Sequence, residues 1–144
     1  MFERILVVCD GNICRSPTAA AMLQRDLPAG KTVTSAGLVA LVEHDMDTTA
    51  REVAAEHGLT CPPHSARKLT REMCREADMI LVMENRQWDR LARLAPEASG
   101  KAFLLGKWQD DQEIPDPYKR SREVYEQAFE LMTQGVAAWV RRLG

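Results

Sequence analysis

The chain has 144 residues, 45% hydrophobic and 28% charged, which fits one soluble globular domain with a substantial core. Nineteen Lys and Arg against 21 Asp and Glu leave a net charge of −2 with no basic block, which excludes nucleic acid as the main partner. No apolar run is long enough for direct membrane insertion, and the N-terminus lacks a secretory signal layout.

Ile5 to Val8 is an apolar run ending in Cys9, which predicts a buried parallel strand over 5–9. The loop Asp10-Gly11-Asn12-Ile13-Cys14 leads to Arg15-Ser16-Pro17. Ser16 is the expected N-cap and Pro17 the expected first residue of a helix near 17–27, with Ala19, Met22, Leu23 and Leu27 facing inward. A second strand is predicted from Thr32 to Ser35, ended by Gly37, and a loop over 38–47. Asp47 caps a helix near 48–57 that stops at Gly58. Cys61-Pro62-Pro63 is turn or extended chain, and a short helix near 70–77 starts at Thr70. Met79 to Met83 is a third, fully apolar strand. A helix near 85–95 follows, with Trp88, Leu91 and Leu94 inward, then a short strand over 102–105. Residues 106–120 read as a long irregular segment, and a last helix near 121–143 carries Val124, Ala128, Leu131, Met132, Gly135, Trp139 and Val140 at core spacing. The alternation implies an α/β fold: one domain over 1–144 in three layers, with a four-stranded parallel sheet and helices on both faces.

The chemistry sits in C-x5-R-S, from Cys9 to Ser16. A loop between a strand's carboxyl end and a helix N-terminus gathers backbone N–H groups and the positive end of the helix dipole, so it cradles anions. The same field stabilises a thiolate on Cys9, and Arg15 supplies a planar fork suited to phosphate. A buried cysteine in an ordinary strand-turn-helix is the bland alternative. Attack on a phosphate monoester also needs a proton donor for the leaving oxygen. Asp116, between Pro115 and Pro117, is the best candidate, although Asp-Pro pairs also make plain turns. Asp10 is a competitor, better suited to the pocket rim because a carboxylate under a phosphate repels it.

With Asp116-Pro117-Tyr118 ahead of the last helix, the chain resembles the low-molecular-weight protein tyrosine phosphatases over essentially its whole length. Val8-Cys9, Gly11 to Pro17, Ser35-Ala36-Gly37 and His64-Ser65-Ala66-Arg67 also match family motifs in family order. It looks nearest to bacterial members that act with tyrosine autokinases of capsule and exopolysaccharide export. The resemblance makes Cys9 the nucleophile, Arg15 the phosphate binder and Asp116 the general acid and then base. It groups Asp10, Gly11, Asn12, Ile13, Cys14 and Ser16 around the phosphate, with Ser16 assisting thiolate formation. Leu41 and Tyr118 fall on the pocket walls, and Ser35 and His64 support the loop. It implies no metal or cofactor, and a phosphotyrosine protein as partner, specifically the tyrosine-rich tail of a membrane autokinase. Inorganic phosphate would be product and inhibitor, in the cytoplasm. Leu41 stands where eukaryotic relatives carry an aromatic wall, and Lys119 where many have a second aromatic.

Cys14 is either a small loop residue or a thiol that resolves oxidised Cys9. Cys61 and Cys74 read as structural, and the four cysteines do not form a secreted disulfide framework. Lys119, Arg120 and Arg122 are either an ordinary exposed face or an attractor for acidic phosphopeptides. Three rival functions remain. Arsenate reductase needs further cysteines near the loop; phosphoarginine phosphatases tend to carry Thr in place of Ile13; a non-catalytic phosphate-binding module has no use for Cys9, Arg15 and Asp116 together.

Overall fold

The computed structural model describes residues 2–144. Strand β1 (Arg4–Cys9) is central, because its residues are apolar on both faces and can be covered twice. It pairs with β2 (Thr32–Gly37) on one side and β3 (Met79–Val82) on the other, and β3 pairs with β4 (Ala102–Leu104). All pairings are parallel, in the spatial order β2-β1-β3-β4.

Side chains alternate across the sheet, so each strand feeds two cores. Ile5, Val7, Cys9, Met79 and Leu81 pack under α1 (Arg15–Asp26), α2 (Thr48–Glu56) and α5 (Arg122–Leu143). Leu6, Val8, Ile80 and Val82 face α3 (Arg71–Glu76), α4 (Asn85–Leu94) and a 3₁₀ helix over Pro96–Lys101. This is the expected three-layer sandwich, and each fully buried Ile, Leu or Val contributes about 1.5–3 kcal/mol.

The strand order reverses between β1 and β3, since the chain leaves β1 toward β2 and returns to the other side. Open parallel sheets bind ligands beyond the carboxyl ends of their strands at such a point. Cys9 is the last residue of β1 and lies there.

Several local expectations change. Helix α1 begins at Arg15 with Cys14 at the cap position, not with Ser16 as cap and Pro17 first. The Ser16 hydroxyl is engaged with Cys9 and Asn12 instead, and Pro17 is still within the first turn, where a missing N–H costs nothing. Asp47 and Thr70 do cap α2 and α3, accepting from the Ala50 and Met73 amides. Leu94, the last residue of α4, is exposed instead of inward. The 3₁₀ helix was not anticipated. Tyr125 and Phe129 join the core of α5 beside the expected Ala128, Met132, Gly135 and Trp139.

Candidate active site

The loop after β1 folds back on a single residue. Asn12 is fully buried and adopts φ 60°, a left-handed conformation that asparagine tolerates better than most residues. Its Nδ2 donates to Ser16 Oγ at 2.8 Å and Ser35 Oγ at 3.0 Å. Its Oδ1 accepts from the Arg67 amide at 2.9 Å, and its carbonyl meets His64 Nε2 at 2.5 Å. Four partners from three separate segments therefore hold the loop's turn. Behind it lies Gly37. A Cβ there would stand 2.5 Å from the Asp10 carbonyl oxygen and 3.0 Å from the Asn12 nitrogen, so only glycine lets the end of β2 support the loop this closely.

Cys9 Sγ sits 3.0 Å from Ser16 Oγ and accepts from the Ser16 amide at 3.4 Å, at the N-terminal turn of α1. A hydroxyl, an amide and a helix N-terminus thus all face the sulfur. Cys14 is buried nearby. Burial, helped by Asp47 and Cys9, pushes its thiol far up.

Arg15 is 1% exposed. Its Nη1 donates to Glu84 at 2.5 Å and to the Ile114 carbonyl at 2.8 Å; Nη2 approaches Asp10 at 3.3 Å and Asp116 at 3.8 Å. Burial opposes its charge, but Cys9, Glu84 and Asp116 outweigh that and hold it firmly cationic. The Ile114 amide donates to the Met83 carbonyl at 3.0 Å, which pins the segment leading to Asp116 against the end of β3. Asp116 remains half-exposed, and its Oδ1 accepts from the Tyr118 amide at 3.1 Å.

Cys9, Gly11, Ile13, Cys14, Arg15, Leu41, Asp116 and Tyr118 line one small cleft of about 40 Å³. Its lining joins the thiol and guanidinium to the apolar side chains of Ile13 and Leu41 and to Tyr118. A larger groove of about 560 Å³ runs between α1, β2 and residues 60–67, but it contains neither Cys9 nor Arg15. The small cleft is the candidate site, because there a thiol, a guanidinium and a carboxyl converge.

Most of the sequence-predicted residues are brought together here, with differences. Asp10 does not line the cleft; its carboxylate turns to Arg86, Gln87 and Arg15. Asn12, Ser16, Ser35 and His64 form the support beneath the loop, not its face. Arg122 is paired with Glu56 and Glu52 of α2 and is not a free attractor. Lys119 lies over the Tyr118 ring at 5.4 Å. Cys61 and Cys74 are outside the cleft, so no cysteine relay reaches Cys9 through them. Sequence reasoning missed Glu84, Arg86 and Gln87. Their signal was position: they directly follow β3, at the same sheet end that drew attention to Cys9.

Comparison with known proteins identifies the family. Residues 4–144 match the family model described as low molecular weight phosphotyrosine protein phosphatase. The chain is 50% identical to low molecular weight protein-tyrosine-phosphatase Wzb of Escherichia coli K12 over 143 residues, covering 99% of this chain and 97% of that one. Among solved structures it superposes on Vibrio vulnificus Wzb in complex with benzylphosphonate with a TM-score of 0.96, at 43% identity over 99% and 100% of the two chains. It also superposes on the YwlE arginine phosphatase of Geobacillus stearothermophilus, with a TM-score of 0.90 at 33% identity over 97% and 92%.

Proposed function

Because the chain belongs to the low molecular weight phosphotyrosine protein phosphatase family, we propose that it hydrolyses phosphotyrosine through a cysteinyl-phosphate intermediate. The observation that carries this reading is the convergence of the Cys9 sulfur, the buried Arg15 guanidinium and the Asp116 carboxyl in one cleft at the end of β1. Cys9 thiolate attacks phosphorus as the ester P–O bond breaks, and protonated Asp116 gives its proton to the departing phenolic oxygen. Arg15 and the loop amides stabilise the charge on the transferring group, and the Ser16 hydroxyl steadies the thiolate. In the second step Asp116 takes a proton from water, which displaces phosphate from sulfur and restores the thiolate. Inorganic phosphate is therefore product and inhibitor. No cofactor takes part in either step.

The substrate class follows from the walls. Ile13, Leu41 and Tyr118 give the cleft an apolar lining suited to a phenyl ring, whose burial contributes about 1–3 kcal/mol. A phosphoserine is too short to reach the thiol without drawing polar backbone into that slot, which costs free energy. The expected kcat/KM is therefore at least about tenfold higher for phosphotyrosine than for phosphoserine peptides. The partner we assign is the tyrosine-rich tail of a bacterial autokinase of capsule or exopolysaccharide export, met in the cytoplasm. Among the described residues no helix is long and apolar enough to cross a membrane.

One assay series tests the reading: phosphotyrosine, phosphoserine and phosphoarginine peptides with arsenate in parallel. Equal rates on phosphoserine and phosphotyrosine would end the substrate claim, and faster phosphoarginine hydrolysis would move the protein to that activity. Gly37 supplies a structural check. Gly37→Ala should push the phosphate loop out of place and lower kcat/KM about 10²-fold, the usual cost of misplacing catalytic groups by about an ångström. Activity within threefold of the parent would show that the loop does not depend on this contact.

A further inference from the structure

Three carboxylates crowd the buried Arg15 guanidinium: Glu84 at 2.5 Å, Asp10 at 3.3 Å and Asp116 at 3.8 Å. An arriving phosphate dianion meets repulsion from each and competes with them for the same N–H groups. Asp10 is the most awkward of the three, because it belongs to the phosphate loop itself.

Arg86, the second residue of α4, counters it. Its Nη2 reaches Asp10 Oδ2 at 2.5 Å and its Nη1 reaches Oδ1 at 3.2 Å, a two-pronged grip tighter than the 3.3 Å approach from Arg15. The same Nη2 contacts Glu84 Oε2 at 3.0 Å. Gln87 completes the hold. It is fully buried, its Oε1 accepts from the Met83 and Glu84 amides at 2.9 and 3.0 Å, and its Nε2 donates to Asp10 Oδ1 at 3.0 Å. Burial raises the Asp10 carboxyl, but Arg86, Gln87 and Arg15 outweigh it and keep it ionised. Arg86 itself is not among the residues lining the cleft.

We propose that Arg86 is a positioning residue for phosphate binding, clasping Asp10 so that the loop's own acid is neutralised and its hold on Arg15 Nη2 stays at a 3.3 Å approach that phosphoryl oxygens can displace. The inference rests on the phosphatase reading and specifies how that site tolerates an acid inside its anion loop. Without Arg86, Asp10 has only Arg15 as a cationic partner among the contacts described, and Asp10 becomes a competitor of the substrate.

The test measures inorganic phosphate by titration calorimetry, with KM and kcat for p-nitrophenyl phosphate. It uses the parent, Arg86→Ala, Arg86→Lys and the Arg86→Ala/Asp10→Asn pair. Arg86→Ala should weaken phosphate binding about tenfold and raise KM in parallel, more at low salt, with kcat little changed. Arg86→Lys should fall between, keeping the charge and losing the fork. The paired variant should return close to the parent, because no acid remains to be held. Phosphate affinity of Arg86→Ala within twofold of the parent would overturn the proposal. So would a paired variant as weak as Arg86→Ala, since Arg86 would then act on the phosphate directly. A parent without turnover would remove the phosphatase reading instead, and the phosphate titrations would still decide the clasp.

Discussion

Cys9→Ser is expected to fold, bind phosphotyrosine peptide and lose at least about 10⁴-fold in kcat, on the scale seen when a nucleophile is removed from a catalytic unit. The reason lies in what surrounds position 9. Ser16 offers a hydroxyl at 3.0 Å and an amide at 3.4 Å, and both stabilise an anion but neither removes a proton. A serine hydroxyl placed here needs a base to remove its proton, and no base contacts this atom among the described hydrogen bonds. Arg15, the loop amides and the apolar walls are untouched, so binding should survive and can be read by calorimetry with a phosphotyrosine peptide. Rapid hydrolysis by Cys9→Ser would place the nucleophile elsewhere.

The second large effect concerns Asp116. Asp116→Asn should lower kcat on phosphotyrosine by roughly 10²–10⁴, the usual worth of a positioned general acid. On p-nitrophenyl phosphate the loss should be smaller, because that leaving group departs with little protonation. Comparing the two substrates isolates proton donation from binding, since both place the same phosphoryl group on Cys9. An equal loss on both would remove Asp116 as the donor. Asp10 would be a poor replacement, because its two oxygens are already occupied by Arg86 and Gln87.

Much of this was legible in the sequence because the decisive atoms are contiguous. Cys9 to Ser16 carries the proposed nucleophile, the cation and the proposed anion cradle in eight residues, between a strand before it and a helix after it. Asp116 was legible because two prolines isolate it. The errors have specific physical sources. Ser16 has the chemistry of an N-cap, and only the tertiary structure reveals that its hydroxyl is turned to Cys9 and Asn12. Arg122 looked like a free surface cation until α2 brought Glu52 and Glu56 beside it. Glu84, Arg86 and Gln87 look like the polar opening of an ordinary helix. They lie 74 to 77 residues from Asp10 along the chain, and only the pairing of β1 with β3 makes them neighbours. Residues 96–101, between the expected helix and strand, form a 3₁₀ helix against α4 that no periodic pattern announces.

Ile114 has a consequence for the timing of turnover. Its amide is bonded to Met83 and its carbonyl to Arg15, so the strip of backbone that carries Asp116 is fastened to the sheet and to the anion-binding guanidinium at once. Many hydrolases bring their acid into place with a mobile flap, and their rate then includes a closing step. Here the carboxyl proposed as the acid is carried on backbone already fastened in place. Turnover should therefore include no flap-closing step before the chemistry. The cleft should stay open to large protein surfaces, because nothing has to swing over them before the bond is cut.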